Sequence, residues 1–377
     1  MLLTDGYPSD EDLYRNAFVH QRVRSYLENG YKTDIWILNQ SMDKVHIYEF
    51  EGITVYSGNE ELFLKHIKEN DVDRLLIHFL IKSIIELLYK LEKDIPIVIW
   101  VHLFEVIRWY RRWFEFTNFE FLRYINWNRI QLNSYKNFVQ KMKKRAVSFI
   151  FVSEWIKNVA ARDIGIDFYK ADVVHNVINT DLFTYIPKSS EQRKKILLIR
   201  PFVSRKYAND IAVKSIIELS KHKEFNDMEF CIYGKGKYYK KLTKKLANFP
   251  NVICNNKFLK QNDISNLHKE FGIFLCPTRQ DSQGVSMCEA MASGLVVATS
   301  NNTAIPEFVE NNVSGLLSNN YKELADSILE VYRNPDLFQK ISKQASEDIK
   351  KKCGKEATIT REIEVIISTS KGTANEQ

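Results

Sequence analysis

No stretch of this sequence approaches the roughly 20 consecutive apolar residues that span a bilayer, and no charged-then-apolar leader opens the chain. Its longest apolar candidate, "LLIHFLIKSIIELLY", is broken by His78, Lys82 and Glu86 and reads as a strand followed by a packed helix. Cysteine is sparse and odd in number: Cys231, Cys254, Cys276, Cys288 and Cys353, without metal-type pairing. That excludes a disulfide framework and suits buried thiols in a reducing compartment, so a cytoplasmic protein is expected. No internal repeat or low-complexity block is present, which removes solenoid and linker architectures. Nor is there a strong charge of one sign. A net charge of +7 and a pI near 8.9 favour an anionic partner without choosing among phosphate, a membrane surface and nucleic acid.

What is present is alternation. With 377 residues, 45% of them hydrophobic, the chain is long enough for two domains with separate cores. Strand-like runs, "MLLTD", "KTDIWILN", "HIYEFEGITVY", "RLLIHF", "IPIVIWVH", "SFIFVS" and "ADVVHNV", are separated by helical patterns such as "AFVHQRVRSYLENG". After the polar stretch "NTDLFTYIPKSSEQRKK" come "KILLIRP", "MEFCIYG", "NVICNN", "FGIFLCP" and "LVVATS", again with helical patterns between them. Nearly continuous apolar strands alternating with helices predict an α/β chain of two Rossmann-like, doubly wound domains with parallel sheets. The expected division is an N-terminal domain over 1–185 and a C-terminal domain over 186–355. A closing helix over 356–377, with a frayed tail, is left free to return to the N-terminal domain.

In open α/β sheets ligands lie beyond the carboxyl ends of the strands, so the residues just after each strand carry the chemistry. After "KILLI" come Arg200 and, five residues on, Arg205-Lys206; after "MEFCIY", Gly234-Lys235-Gly236; after "NVICNN", the loop containing Phe258; after "GIFLCP", "TRQDSQGVS" and a helix. The amides near Gly284, Val285 and Ser286 would sit at the positive end of that helix. Arg200 and Lys206 would add fixed positive charge, the guanidinium able to hold two oxygens at once. Together these describe a diphosphate site. The plainer alternative is a solvated Lys206 and an Arg200 paired with a surface carboxylate.

"RPFVSRK" and "RQDSQGVSMCEAMASGLVVATSNNTAIPEFVENNVSGLL" resemble the carboxyl-terminal domain of glycosyltransferase family 4, retaining enzymes of the GT-B fold, and "FVSEWIKNVAARDIGI" and "VVHNVINTDLF" resemble its bridging segment. Asp281 and Glu289 fall on the family's two acidic positions, and Arg200 and Lys206 on its donor-diphosphate pair. The resemblance implies two domains facing across an inter-domain cleft and a nucleotide-sugar donor, a UDP- or GDP-sugar foremost. It implies that Glu289 accepts hydrogen bonds from the ribose hydroxyls and that Asp281 meets the donor sugar. Asp281 is one methylene shorter than the usual Glu, and Ser282-Gln283 replace a common small-aromatic pair. The alternatives are a backbone-bonded buried carboxylate for Glu289 and a plain loop or cap residue for Asp281. The resemblance implies transfer without a covalent intermediate, by departure of the diphosphate and front-face entry of the acceptor hydroxyl; no carboxylate nucleophile is identifiable in the sequence. His102, at the end of "IPIVIWVH", matches a family histidine near the donor sugar; a satisfied structural histidine is the alternative. No cofactor and no metal are expected: the Asp-x-Asp at Asp71-Val72-Asp73 precedes a strand instead of following one and reads as a turn. The first loop, "TDGYPSDEDLYRNAFVHQR", retains Gly6 alone where the family has a glycine-rich loop.

The segment from Glu105 to Ala146 interleaves Trp109, Trp113 and Trp127 with Arg108, Arg111, Arg112, Arg123, Lys141, Lys143, Lys144 and Arg145. That mixture suits an interfacial helix on anionic lipid, with Trp109, Arg111, Arg112 and Trp113 as contacts; aromatic stacking on nucleic acid and ordinary core packing are the alternatives. The expected function is metal-independent, retaining glycosyl transfer to a glycan or lipid-linked acceptor in bacterial surface polysaccharide, glycolipid or glycoconjugate assembly, at the inner face of the cell membrane, with no nucleic acid as partner. A phosphorylase on the same fold would need a pyridoxal-phosphate lysine motif, which is not found. A non-catalytic nucleotide-sugar-binding subunit of a partner transferase is the other reading.

Overall fold

The computed structural model describes residues 1–10, 15–116 and 120–369. They form two compact units: Met1–Val177 together with the chain from Lys355 onward, and Ile178–Gly354. The first is built on strands β1 (Leu2–Thr4), β2 (Ile35–Leu38), β3 (His46–Phe50), β4 (Ile53–Gly58), β5 (Leu75–His78), β6 (Ile97–Val101), β7 (Val147–Phe151) and β8 (Ala171–Val173). Their order in the sheet is β3-β4-β2-β1-β5-β6-β7-β8. All pairs are parallel except β3–β4. Both faces are covered, which is why the strands read as unbroken apolar runs. Along β6, Ile97, Ile99 and Val101 enter one core while Val98 and Trp100 enter the other.

"HIYEFEGITVY" is not one strand. It folds as the antiparallel hairpin β3–β4, turning at Glu51 (φ 47°) and Gly52 (φ 78°). Two consecutive left-handed residues are what a tight two-residue hairpin turn requires, and glutamate in that position carries little sequence signal.

The helix Lys355–Ser368 belongs to the first unit. It brings Glu362, fully buried, onto Arg22 of the helix Ala17–Glu28, with Nε donating at 2.8 Å. The same carboxylate accepts from the Tyr26 hydroxyl at 2.6 Å and from Trp100 Nε1 at 3.2 Å, while Arg22 Nη2 donates to Asn176 at 2.7 Å. A buried charge pair withstands the loss of water only when its other hydrogen bonds are met, and here the carboxylate's are.

The second unit contains β9 (Lys195–Ile199), β10 (Glu229–Tyr233), β11 (Val252–Asn255), β12 (Ile273–Leu275), β13 (Val296–Ser300) and β14 (Leu316–Ser318). Every pair is parallel, in the order β11-β10-β9-β12-β13-β14. This is the 3-2-1-4-5-6 winding of a dinucleotide-binding sheet, whose order reverses between β9 and β12. The polar segment 179–195 packs into this unit: Phe183 is buried, and Lys188 Nζ donates to the carbonyl of His268. No helix of the described residues is long and apolar enough to cross a membrane.

Candidate functional site

In a sheet of this winding ligands lie beyond the carboxyl ends of the strands where the order reverses, here between β9 and β12. Arg200 follows β9 directly. It is 4% exposed, and its Nη2 donates to the carbonyl of Cys276, just after β12, at 3.0 Å. Its Nε is buried and unpartnered. The guanidinium lies 5.8 Å from the Tyr207 ring centroid, and the Lys206 ammonium lies 4.9 Å from the same ring. No surface carboxylate holds Arg200 among the described residues.

Lys206 sits in a 3-10 turn, Arg205–Tyr207, capped by the Ser204 hydroxyl. The loop after β12 fastens this turn. Arg279 N and Thr278 Oγ1 donate to the Lys206 carbonyl at 2.8 and 3.1 Å. Arg279 Nη1 donates to the Arg205 carbonyl at 2.8 Å and also holds Asp210 Oδ1 at 2.7 Å, while its Nη2 reaches Asp210 Oδ2 at 2.7 Å. Arg279 and Asp210 are absent from the sequence reading. Nothing local links a loop arginine to an aspartate so far back along the chain; only the parallel pairing of β9 with β12 makes them neighbours.

Gly234 and Gly236 are required for packing. A Cβ on Gly234 would lie 2.1 Å from the Arg200 carbonyl, and one on Gly236 2.4 Å from the Phe202 carbonyl carbon. The Phe202 amide donates to the Lys235 carbonyl at 2.9 Å, stitching these two loops together. The Lys235 side chain is exposed, as is Phe258 at 50% in the loop after β11.

Asp281 acts as a cap: Oδ1 accepts from the amides of Gln283 and Gly284 at 3.2 and 2.8 Å. That is the cap alternative noted from sequence, and Oδ2 carries no hydrogen bond among the described residues. Gly284 takes the left-handed conformation (φ 80°) that starts the helix Val285–Ala292, and the half-buried amides of Val285 and Ser286 make no hydrogen bond among the described residues. One turn further, Glu289 is 8% exposed; burial pushes its carboxyl up to about 8, opposed by a hydrogen bond with Gln261. Arg200, Lys206, the 276–284 loop and the helix bearing Glu289 therefore share one end of the second sheet.

His102 lies in the first unit. Register pairing of β5 with β6 sets His78 beside it, Nδ1 to Nε2 at 2.9 Å, the two rings stacked at 21°. Burial holds both imidazoles well below their ordinary value; His102 and Arg22 add to the effect on His78, and Arg22 to that on His102. Both are neutral near pH 7. Phe18 meets the His102 ring edge-on at 5.2 Å, and the loop is braced by buried Glu105, accepting from the amides of His102 at 2.6 Å and Leu103 at 3.0 Å. His78 and Glu105 were not singled out in the sequence.

Of the proposed lipid contacts, Trp113 is 69% exposed while Trp109, Arg111 and Arg112 are half-buried. The Arg111 guanidinium is taken up by buried Asp163, at 2.6 and 2.9 Å, and Arg112 lies 5.4 Å from the Tyr124 ring centroid.

Residues 184–348, within the second unit, match the family of glycosyl transferases group 1, a stretch that includes Arg200, Lys206, Asp281 and Glu289. Over 154 residues the chain is 23% identical to an alpha-monoglucosyldiacylglycerol synthase of Acholeplasma laidlawii, covering 40% of this chain and 37% of that protein. Over 98 residues it is 35% identical to the amylovoran biosynthesis glycosyltransferase AmsK of Erwinia amylovora, covering 24% of each. The chain thus spans well under half the length of the curated relatives it matches. The crystal structure of Anabaena HepE in complex with UDP and glucose matches 98% of this chain and 99% of its own, with TM-score 0.71 and 14% identity. At that identity the likeness establishes the fold, the GT-B architecture of two Rossmann-like units.

Proposed function

We propose that the chain is a retaining glycosyltransferase that moves a sugar from a nucleotide-sugar, a UDP- or GDP-sugar foremost, to a glycan or lipid-linked acceptor. The observation that carries this reading is the cationic pair Arg200 and Lys206 beside the open helix start at the switch point, within the stretch that matches glycosyl transferases group 1. The curated relatives act in glycolipid and polysaccharide synthesis by their names, which supports the acceptor class.

In this mechanism the donor diphosphate lies against Arg200, Lys206 and the amides of Val285 and Ser286. As the glycosidic bond breaks, charge grows on the leaving phosphate where those groups are already oriented, the arrangement that lowers a barrier most. Two side-chain cations do the neutralising, so no metal is invoked. Glu289 accepts from the ribose hydroxyls; Gly234 and Lys235 line the phosphate approach and Phe258 the base side. Asp281, with one oxygen used as a cap, offers the other to the sugar. His102, neutral and oriented through His78, is the first unit's candidate partner for a sugar hydroxyl. The acceptor hydroxyl enters on the face the diphosphate leaves, its oxygen forming the new bond to the anomeric carbon as its proton passes to the departing phosphate oxygen.

Exposed Trp113, with Leu122 at 60%, supports contact with an anionic membrane surface at the cytoplasmic side. Co-flotation with anionic vesicles that is unchanged in Trp113→Ala/Leu122→Ala would remove that contact. The capping role of Asp281 favours one second reading, a nucleotide-sugar-binding subunit without turnover. A panel of UDP-, GDP-, ADP- and dTDP-sugars separates the two: thermal shift finds the bound nucleotide, and nucleoside-diphosphate release with acceptor distinguishes turnover from binding. Glu289→Ala is expected to abolish donor-dependent thermal shift; an unchanged shift would overturn the site.

A further inference from the structure

On the flank of the first unit, the turn Trp109–Glu115 and the helices Glu120–Lys141 and Glu154–Ile164 border a cavity of about 380 Å³. Neither His78 nor His102 lines it. Arg108, Arg129 and Lys136 do, and among the described residues Asp163 is the sole carboxylate in its wall. That carboxylate is already spent. Oδ2 accepts from the Arg108 amide at 2.8 Å and Arg111 Nε at 2.6 Å, and Oδ1 from Arg111 Nη2 at 2.9 Å and the Tyr110 hydroxyl at 3.3 Å. Arg111 therefore balances Asp163, and the positive charges of Arg108, Arg129 and Lys136 remain.

Those three have no salt bridge among the described residues. Arg108 is steadied by its Nε, which donates to the Asp163 carbonyl at 2.8 Å and leaves its terminal nitrogens available. Arg129 and Lys136 stand seven residues apart on one helix, two turns on the same face. Like charges around one concavity repel each other until an anion fills it, and guanidinium groups suit phosphate oxygens in pairs. The volume falls within the range of small-molecule pockets and exceeds what a bare phosphate needs. Trp109 and Leu132 supply apolar wall for an attached group.

We infer that this cavity is a phosphate-ester site, separate from the cationic loops of the second unit. Arg108, Arg129 and Lys136 hold the phosphate oxygens, and Trp109 covers the organic part. The ester can belong to the headgroup of an anionic phospholipid or to a soluble compound; the recognition chemistry is the same.

Isothermal titration of the full chain with glycerol 3-phosphate, with glycerol as the uncharged control, reads the soluble source. Flotation with phosphatidylglycerol vesicles, against phosphatidylcholine, reads the lipid source. Both are repeated in Lys206→Ala, so that occupancy of the second unit is counted separately. The expected result is saturable binding of at least one phosphate probe that persists in Lys206→Ala and weakens tenfold or more in Arg129→Ala/Lys136→Ala. It should persist in Lys143→Ala/Lys144→Ala, which removes the same charge at exposed positions outside the cavity. Since Arg129 is exposed, the single variant Arg129→Gln provides a second reading if the double variant misfolds. Retained binding in the cavity variants, equal loss in both double variants, loss in Lys206→Ala, or no binding of either probe would each overturn the site. None of these outcomes bears on glycosyl transfer.

Discussion

Lys206 and Glu289 carry the sharpest expectations at single positions. Lys206→Ala should lower kcat/KM by about a hundredfold, or roughly 3 kcal/mol of transition-state stabilisation, with little change in melting temperature because its side chain is half-buried on a surface turn. Nucleoside-diphosphate release checks the first and thermal denaturation the second. Glu289 makes a statement about pH. Burial raises its carboxyl to about 8 from the usual 4.5, so the folded chain favours the protonated form more than the unfolded chain does. The stability this contributes is complete below pH 4.5 and is lost as pH rises through 8. Glu289→Gln, which cannot ionise, should therefore gain melting temperature relative to the unsubstituted chain between pH 5 and pH 9. A constant difference across that range would refute the assignment. Arg200 was visible in sequence because it stands directly after a strand, and Glu289 because it falls on an acidic position of the family that its motif resembles. His78 was not, because its importance comes from the imidazole across the neighbouring strand.

At the level of elements, the loops after β9 and β12 act as one piece. Arg279 grips both oxygens of Asp210 and the carbonyl of Arg205, so the turn carrying Lys206 is positioned by a residue outside the proposed diphosphate contact. Half-exposed pairs of this kind contribute less than about 1 kcal/mol to stability, and the effect belongs in binding. Arg279→Ala and Asp210→Ala should each raise the donor KM several-fold with smaller effects on kcat, and the double variant should be no worse than either single one. Effects that multiply would show that the two residues act separately. The hairpin β3–β4 illustrates where pattern alone fails. Apolar alternation persisted through "EFEG", and the turn depends on two left-handed residues, one of them a glutamate.

For the chain as a whole, the C-terminal helix is part of the first unit's core. Removing one member of a buried, hydrogen-bonded ion pair strands the other charge and typically costs about 3–5 kcal/mol. Glu362→Ala should therefore lower the first unit's calorimetric transition while leaving the second unit's in place; a single shift common to both would contradict the assignment of this helix. The winding of both sheets was legible in the chain's alternation, since a parallel strand buried on both faces must be apolar throughout and must be followed by a crossover helix. The cationic strand ends were legible for the same reason: in such a sheet the residues just after each strand stand at the end where ligands are expected. What the linear order could not convey is partnership across long separations. Arg22 finds Glu362 and Arg111 neutralises Asp163, because burial makes an unpaired charge far more costly than an exposed one, and which charges become buried depends on how strands and helices pack.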